Sequence, residues 1–286
     1  MILVTGAAGK TGRAIIRALA DRSEPVRALV RRQDQARLVT ALGAQQVFVG
    51  DMRLPATLSQ AATGARAVYL ICPNVSPDEL LMAENALTAA RAAGLERFVY
   101  HSVLHPQTES MPHHWAKLRV EELLFQSGLV FTILQPTVYM QNLLAHWTQI
   151  VQQGVYPIPY HADTRLSLVD LEDVASAAAQ ILTDRGHQGA TYELVGTGPL
   201  TPTDIAAALS AALSRPVQVR SIHLAEWESN ARASGLGDYE VDCLLRMFRY
   251  YERFGLWGNT RVLEGLLGHP PASLTDFARK VGHTGK

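Results

Sequence analysis

The stretch that decides the fold is residues 1–19, MILVTGAAGKTGRAIIRAL. Its first five residues are apolar or β-branched, which predicts a strand. After a glycine-rich turn, Ile15, Ile16 and Leu19 recur at helical spacing and predict a helix over Lys10–Asp21. A strand, a tight turn and a helix in this order are typical of the first half of a βαβ unit.

The same alternation of short apolar runs and amphipathic segments continues through the first half of the chain. Strands are predicted at Met1–Thr5, Val26–Val30, Gln46–Val49, Ala67–Ile71, Phe98–His101 and Val130–Leu134. Further helices are predicted between them at Gln33–Leu42, Ala56–Ala62, Asp78–Ala93 and His114–Ser127. Apolar strands separated by helices are typical of a parallel sheet that is covered on both faces. The expected fold class is therefore α/β, with a Rossmann-type doubly wound parallel sheet.

The pattern loosens in the second half of the chain. Residues 151–165, VQQGVYPIPYHADTR, are predicted to form a loop, and residues 166–182 a short strand followed by a helix with Asp170 as its N-cap. Later predicted elements are strands in residues 191–196 and 215–222 and a helix from Thr201 to Leu213 with Thr201 as its N-cap. A helical stretch from Leu224 to Phe254, broken at GLGD, is also predicted. We expect a Rossmann core in residues 1–136. Residues 137–286 are expected to be a mixed segment that also contributes to this core and forms a smaller α/β lobe.

Composition argues against several classes of protein. Lysine plus arginine and aspartate plus glutamate both number 26, so no basic excess points to nucleic acid. The two cysteines, Cys72 and Cys243, match no metal or disulfide framework, which suits a reducing compartment. The apolar start is too short for a signal peptide, and no apolar run approaches the length of a membrane span. A cytoplasmic globular protein is expected, either a monomer or a homodimer.

The glycine-rich turn, GAAGKTGR, has two interpretations. Gly9, Lys10 and Thr11 resemble the end of a loop that holds the phosphates of ATP. That loop requires another glycine five positions before Gly9. Val4 stands at this position, inside the predicted strand. The resemblance to an ATP-binding loop is therefore limited to three letters.

The glycines of this turn instead have the G-x-x-G-x-x-G spacing of a dinucleotide-binding turn. Gly6 lets the chain turn sharply, Gly9 lets the backbone approach a pyrophosphate, and Gly12 allows close packing of helix on strand. The helix that follows directs its free N–H groups and positive dipole end towards the phosphates. The predicted cofactor-binding residues of this loop are Gly6, Ala8, Gly9, Lys10, Thr11 and Gly12.

The end of the second strand selects the cofactor. An acidic residue about 20 residues past the loop would bind the free ribose hydroxyls of NAD, but Arg31 and Arg32 stand there. Two guanidinium groups suit a 2′-phosphate, which accepts forked, charge-assisted hydrogen bonds. We therefore predict NADP(H) as the cofactor. The alternative is a solvated pair of arginines that opens a helix.

With these residues the sequence resembles the NmrA-like branch of the atypical short-chain dehydrogenases/reductases. The matching stretches are ILVTGAAGKTGRAIIRAL, VRALVRR, VGDMRLPATLSQAATGARAVYLICP, RFVYHSVLHP, WAKLRVEELLFQSGLVFTILQPTVYMQNLL and LVDLEDVA. The resemblance implies that residues 1–136 bind NADP(H) and that the small lobe in residues 137–286 binds the substrate. It also implies one of two activities. These are NADPH-dependent reduction of quinones, azo dyes or triphenylmethane dyes, and non-catalytic sensing of NADP by a regulator.

The resemblance also assigns residues near the cofactor. Asp51 would accept a hydrogen bond from the adenine amino group, and Met52 would lie against the adenine ring. Cys72 and Pro73 end the fourth strand, where the backbone passes close to the cofactor, and the preferred interpretation of the Cys72 thiol is a buried small hydrophobe. We also predict that Tyr139, on the turn after the sixth strand, contacts the cofactor and forms a wall for a flat aromatic substrate. The alternative for Tyr139 is hydrophobic packing.

The catalytic pattern of the wider superfamily is present only in part. Full short-chain dehydrogenases place a proton-donating Tyr four residues before a Lys that holds the nicotinamide ribose. Lys117 matches that Lys, but His113 occupies the Tyr position, so alcohol dehydrogenation by the usual route is in doubt. Lys117 is predicted to bind the cofactor and to serve catalysis, the alternative being a surface salt bridge with Glu121 at helical spacing. Ser102, at the end of the fifth strand, is predicted to orient a substrate oxygen.

Four histidines lie near this edge of the predicted sheet: His101, His105, His113 and His114. Zinc requires three or four converging ligands, and no carboxylate or cysteine motif accompanies them, so no metal site is predicted. A histidine that titrates near neutrality is a candidate proton donor to a reduced quinone or azo nitrogen. His113 is the candidate acid, and its alternative is a solvated loop residue.

Two functions are consistent with these residues. An NADPH-dependent reductase of quinones, azo compounds or similar conjugated aromatic acceptors explains the cofactor loop together with Lys117 and Ser102. An NADP(H)-sensing regulator that acts through a protein partner explains the missing Tyr, because binding alone needs no proton donor. The reductase is the favoured hypothesis. It implies a small aromatic substrate and neither nucleic acid nor a membrane as a partner.

Overall fold

The computed structural model describes the backbone of residues 1–284 and the side chains of residues 1–282. Its β-strands are β1 Ile2–Val4, β2 Val26–Val30, β3 Ala44–Val49, β4 Ala67–Leu70, β5 Arg97–His101, β6 Phe131–Pro136, β7 Val138–Tyr139, β8 Val155–Ile158, β9 Leu168–Val169, β10 Thr191–Leu194 and β11 Gln218–Ser221. Its α-helices are α1 Lys10–Asp21, α2 Ala36–Ala41, α3 Pro55–Ala62, α4 Glu79–Ala92, α5 Pro112–Phe125, α6 Leu171–Thr183, α7 Pro202–Leu213, α8 Leu224–Ala233, α9 Asp238–Phe254, α10 Arg261–Leu267 and α11 Leu274–Thr284.

Seven of the described strands form one sheet, in the order β10-β6-β5-β4-β1-β2-β3. β1 pairs in parallel with both β2 and β4, and parallel pairing continues to β3 on one side and through β5 to β6 on the other. The direction of strand order therefore reverses between β1 and β4. Ligands of such sheets bind outside the carboxyl ends of the strands at this switch point. The predicted α/β, doubly wound fold is confirmed.

The elements of the first half follow local sequence signals closely. α1 and β2 have the predicted bounds, and β1, β2 and β4 are buried along their whole length, which explains their continuous apolar sequences. The helix predicted over Gln33–Leu42 instead begins as a 3₁₀ turn at Gln33–Gln35 and continues as α2. The Gln35 side chain accepts hydrogen bonds from the N–H groups of Arg31 and Arg32, which closes this tighter first turn.

The prediction of a loop over residues 151–165 is wrong in part. Residues Gln149–Gln153 form a π-helical turn that ends at Gly154, whose φ of 67° is in the left-handed region. β8 follows at once and pairs in parallel with β11 in a two-stranded sheet. Pro157 is tolerated within β8 because each strand of a two-stranded sheet keeps one edge on which no N–H donor is required.

Two compact units make up the chain. Unit 1 comprises residues 1–107, 113–135 and 174–192, and unit 2 comprises residues 108–112, 136–173 and, of the described chain, 193–284. Residues 174–192, which carry most of α6, thus belong to the unit that contains β1 to β5. Among residues 1–284 we find no helix with both the length and the apolar character needed to cross a bilayer.

Each unit has its own hydrophobic core. The core of unit 1 includes the fully buried side chains of Leu58, Phe98 and Leu124. The core of unit 2 includes residues of the helical turns at Met140–His146 and Gln149–Gln153 and of β8, α7 and α11. α7 begins with a capping box, in which Thr201 and Asp204 exchange side-chain to backbone hydrogen bonds of 2.8 and 3.1 Å. The predicted N-cap role of Thr201 is confirmed.

Candidate functional site

The glycine-rich turn between β1 and α1 is tightly folded. Gly6 has a φ of 54°, a left-handed value that favours glycine, and its carbonyl accepts a hydrogen bond from Gly9 N–H at 3.0 Å. A Cβ on Gly12 would lie 2.5 Å from Gly6 O and 2.7 Å from Ala7 Cα. Both of these contacts are with backbone atoms. Glycine at position 12 therefore allows α1 to start this close to the turn.

The N-terminus of α1 is open to an anion. Gly9 is its N-cap and supplies no side-chain hydrogen bond, and the first turn contains no acidic residue. The first N–H groups of a helix have no intrahelical partner, and a phosphate can accept hydrogen bonds from them. The helix dipole also favours negative charge at this end. Gly9 and Lys10 are exposed, so the residues present fit the pyrophosphate of a dinucleotide.

Thr5, which sequence analysis did not single out, ties this turn to the neighbouring strand. Its hydroxyl donates to Ile71 O at 2.9 Å and accepts from Ile71 N–H at 2.8 Å. Thr5 follows β1 and Ile71 follows β4, so these two bonds join the strand ends at the switch point. A Cβ on Gly6 would lie 3.0 Å from Ile71 O, which is a second reason for glycine at position 6.

The two arginines after β2 have different surroundings. The Arg32 guanidinium donates to both carboxylate oxygens of Asp34, at 3.0 and 2.9 Å. The Arg31 guanidinium is exposed and forms no hydrogen bond or ion pair with any side chain that the structure describes. The two arginines, both expected to bind a 2′-phosphate, are therefore not equally available to it. Arg31 is available to a ligand, whereas Arg32 would have to share its donors with Asp34.

Asp51 and Met52, predicted to flank an adenine ring, follow β3. The Asp51 carboxylate accepts hydrogen bonds from Nε and Nη2 of Arg53 at 3.1 and 2.6 Å, and these bonds lower its pKa to about 2. Asp51 is therefore ionised at neutral pH and can only accept hydrogen bonds, as a contact with an amino group requires. Met52 is buried with Leu58 and Met82 in the core of unit 1, so little of its side chain is left for contact with a ring.

Cys72 and Pro73 lie just after β4. Cys72 is buried in the core of unit 1, and burial raises the pKa of its thiol well above the usual range. A neutral, buried thiol behaves as a small hydrophobe, which confirms the preferred interpretation. Pro73 is exposed. Val75 has a φ of 51°, a strained value for a β-branched residue. The connection from β4 to α4 therefore contains a residue in a disfavoured backbone conformation.

Lys117 lies on α5 and is mostly buried, with 12% of its side chain exposed. Its ammonium donates to Glu79 Oε1 at 2.8 Å and to His101 O at 3.3 Å. Glu79 is the first residue of α4, and its carboxylate also accepts from the Tyr100 hydroxyl at 2.9 Å. The alternative interpretation of Lys117 as a surface partner of Glu121 is therefore wrong. Glu79 is a further residue that the sequence did not reveal.

Ser102 follows β5 and is buried. Its hydroxyl donates to Glu121 Oε1, and Gln135 Nε2 donates to the two oxygens of the same carboxylate at 2.9 and 3.1 Å. Burial raises the pKa of Glu121, although these donors favour its charged form. A hydroxyl has only one hydrogen, which Ser102 donates to Glu121. The Ser102 oxygen is therefore left to act towards a ligand as a hydrogen-bond acceptor.

Three histidines of unit 1, His101, His113 and His114, are together called the buried histidines. His101 and His114 are buried, and His113 is half-buried with its Nδ1 atom enclosed. Burial, with a smaller contribution from the Lys117 charge, lowers the pKa of His101 to about 3 and that of His113 to about 4. Burial also lowers the pKa of His114 to about 3. The expectation that His113 titrates near neutrality is therefore wrong, because its charged form would lose hydration. His113 is not a solvated loop residue either, since it lies on α5.

The remaining predicted site residues are placed as follows. Tyr139 belongs to unit 2, where β7 pairs in parallel with β9, and its side chain is half-buried. The other predicted residues all belong to unit 1, where they follow the carboxyl ends of parallel strands or lie on α1 and α5. No group of three or more His, Cys, Asp or Glu side chains able to hold a metal ion occurs in the described part of the chain.

Comparison with known proteins gives matches along almost the whole chain. The model of the NmrA-like family matches residues 1–269. The chain is 31% identical over 281 residues to the NAD(P)H azoreductase of Xenophilus azovorans, with 98% of this chain and 97% of that protein covered. It is 30% identical over 287 residues to quinone oxidoreductase 2 of Escherichia coli, with 99% and 98% covered.

A solved structure extends these similarities to three dimensions. The crystal structure of an NADPH-dependent quinone oxidoreductase from Escherichia coli in complex with NADPH resembles this chain with a TM-score of 0.85. The sequence identity is 28%, and the match covers 98% of this chain and 99% of that chain. The family match over residues 1–269 and the relatives aligned along nearly their full length lead to one conclusion: the chain belongs to the NmrA-like family.

Proposed function

We propose that this protein is an NADPH-dependent reductase that transfers hydride to a quinone, an azo compound or a similar conjugated aromatic acceptor. The observation that carries the proposal is the glycine-lined, open N-terminus of α1 at the β1–β4 switch point, which fits a pyrophosphate. The full-length similarity to an azoreductase and to a quinone oxidoreductase supports the same reaction class.

Different residues of unit 1 would hold different parts of the cofactor. NADPH, when bound, supplies the hydride. The free N–H groups at the start of α1 and the backbone at Gly9 would bind its pyrophosphate. Arg31 would bind the 2′-phosphate, because its exposed guanidinium has donors that are not engaged by any described side chain. The ionised Asp51 carboxylate would accept from the adenine amino group.

Lys117 would hold the nicotinamide ribose. An ammonium has three N–H donors. Two of them donate to Glu79 and to the His101 carbonyl, and within the part of the chain described here no acceptor takes the third. We assign this third donor to a ribose hydroxyl. His101 directly precedes Ser102 in the chain, so a donor from Lys117 and the acceptor oxygen of Ser102 lie at the same strand end.

The proposed reaction does not need the Tyr of full short-chain dehydrogenases. A quinone that accepts hydride becomes a phenolate-like anion, which is far more stable than an alkoxide, so a weak acid or solvent suffices to protonate it. The neutral ring of His113 keeps one N–H that can donate a hydrogen bond to such an oxygen. The role of the chain is then to bind and orient the cofactor and the acceptor, and to exclude water.

The proposal is tested by mixing the protein with NADPH and a panel of quinones, azo dyes and simple ketones, and following the absorbance of the reduced nicotinamide. We expect oxidation of NADPH with quinones or azo dyes and not with simple ketones. Lys117→Met should abolish most of this turnover, whereas Lys280→Met, at an exposed lysine of α11, should not. No oxidation above background across the panel would refute the reductase. If NADPH still bound in calorimetry, the regulator would then be the better hypothesis.

A further inference from the structure

We propose that Glu79 is a positioning residue for Lys117, which fixes the ammonium at the end of β5 so that one N–H remains for the nicotinamide ribose. This inference rests on the cofactor role proposed for Lys117. Glu79 was not among the residues that the sequence indicated, because it lies on a different helix from Lys117 and opens α4 directly after the β4–α4 connection.

The charges of Glu79 and Lys117 are both largely buried. Glu79 has 3% and Lys117 12% of its side chain exposed, and their charged atoms are 2.8 Å apart. Leaving either charge buried without its partner is costly, because neither water nor another ion would compensate it. The ammonium is therefore held by this pairing rather than by the flexible four-carbon stem that carries it.

Glu79 is itself held in place. The Tyr100 hydroxyl donates to the same Oε1 atom at 2.9 Å, and burial raises the pKa of Tyr100 well above its usual range, so this donor stays protonated. Glu79 is also in the first turn of α4, where the helix dipole favours a carboxylate. A carboxylate fixed on two sides can in turn fix the ammonium.

The carboxylate one helical turn from Lys117 on α5 is engaged elsewhere. Glu121 is one helical turn beyond Lys117 on α5, at a spacing that ordinarily favours an ion pair. Its oxygens accept from Ser102 and from Gln135 instead. The chain thus separates two buried carboxylates, with Glu79 serving Lys117 and Glu121 serving Ser102.

Glu79 is connected to the glycine-rich turn through the segment between β4 and α4. The connection that ends at Glu79 begins at Ile71, whose backbone exchanges two hydrogen bonds with the Thr5 side chain. Thr5 immediately precedes Gly6 of the glycine-rich turn. One end of this connection is therefore bonded to the turn that would bind the pyrophosphate, and the other end to the lysine that would bind the ribose.

The test is a double-mutant cycle on NADPH binding. Glu79→Gln keeps the shape of the side chain and an acceptor for Tyr100 but removes the charge, and Lys117→Met removes the ammonium. Glu84→Gln, at an exposed glutamate on the same helix, is the matched control. Dissociation constants for NADPH are measured by calorimetry, together with kcat and KM wherever the protein turns over.

We expect Lys117→Met to weaken NADPH binding about tenfold or more, the effect of one lost charge-assisted hydrogen bond. Glu79→Gln should weaken binding several-fold, Glu79→Asp less than that, and Glu84→Gln not at all. In the Lys117→Met background, Glu79→Gln should weaken binding by less than about twofold, because a residue that acts only through Lys117 loses its effect when Lys117 is absent. A purely structural role of Glu79 would instead cause the same loss in both backgrounds.

The outcomes separate this inference from the proposed function. The positioning role is overturned if Glu79→Gln binds NADPH with wild-type affinity. It is also overturned if Glu79→Gln loses the same affinity with and without Lys117, even if the protein is a reductase. Turnover that is absent while the cycle behaves as expected overturns the reductase and supports the positioning role. If Glu79→Gln does not fold, the cycle is run with Glu79→Asp, whose shorter carboxylate keeps the charge and whose additive effect would equally overturn the inference.

Discussion

Gly12 gives the sharpest test of the cofactor turn. In Gly12→Ala, the new Cβ would lie 2.5 Å from Gly6 O, 2.7 Å from Ala7 Cα and 2.9 Å from Ala7 O. The shortest of these is roughly 0.8 Å less than an ordinary carbon–oxygen contact. All three atoms belong to the backbone of the turn, so no side chain can move aside. Either the turn or the start of α1 must shift.

The size of the effect is set by two opposing terms. Overpacking of a closely packed site costs about 1–3 kcal/mol. Replacing a helical glycine by alanine stabilises the folded state by about 1 kcal/mol. We therefore expect Gly12→Ala to lower the free energy of unfolding by up to about 2 kcal/mol. Its effect on NADPH binding should be larger, about tenfold or more, because the phosphate-binding N–H groups lie on the segment that moves.

Gly265 is the matched control, because it lies inside α10 and a Cβ there would meet no atom within 4 Å. Gly265→Ala should therefore stabilise the protein by up to about 1 kcal/mol and leave NADPH binding unchanged. The assays are urea unfolding without cofactor and calorimetric titration with NADPH. If Gly12→Ala has the stability of Gly265→Ala and the wild-type affinity for NADPH, the close contacts at position 12 do not shape the turn.

Three further predictions concern charge and hydrogen bonding in unit 1. Arg31→Asp should weaken NADPH binding far more than NADH binding, and more than Arg32→Asp does, because Arg32 is already paired with Asp34. Equal losses for both cofactors in calorimetry would contradict the 2′-phosphate role. Ser102→Ala should lower the free energy of urea unfolding by about 1–3 kcal/mol, because Glu121 loses a donor while buried. An unchanged urea midpoint would show that the Ser102–Glu121 hydrogen bond does not contribute to stability. The buried histidines have lowered folded pKa values of about 3 to 4. Their contribution to the free energy of unfolding is therefore complete above the unfolded pKa near 6.5. It decreases as pH falls towards 4, by up to about 1.4 kcal/mol per pH unit for each ring. Urea unfolding at pH 7 and pH 5 measures this loss, and equal stability at both would contradict it.

The parts of the fold that sequence predicted well depend on neighbours in the chain. The Gly6 to Gly12 spacing, the apolar positions of α1 and the Thr201 cap of α7 each involve residues within a few positions of one another. β8 was missed for the opposite reason. It contains Pro157, and it becomes a strand only by pairing with β11, which lies far along the chain.

The same distinction explains which site residues escaped prediction. The Arg32–Asp34 pair joins near neighbours and could have been found from a guanidinium and a carboxylate two positions apart. Glu79 and Thr5 could not, because each acts on a residue brought close only by the packed sheet, Glu79 on Lys117 and Thr5 on Ile71. His113 stands four positions before Lys117, as the sequence shows, but the pKa of its ring depends on burial, which spacing does not reveal.

The titratable groups near Lys117 share a feature that bears on the chemistry. Burial lowers the pKa values of the buried histidines and raises those of Cys72 and Tyr100, so each of these groups is neutral throughout the range around pH 7. If no such group changes its charge there, the rate of NADPH oxidation by a quinone should be level between about pH 6 and pH 8. Glu121 is the exception, because its pKa is raised from the acidic side. If the rate declines at acid pH and Glu121→Gln removes this decline, the decline results from protonation of Glu121. A bell-shaped profile centred near neutrality would contradict the argument, because it would require an acid or base whose pKa the fold does not shift away from 7.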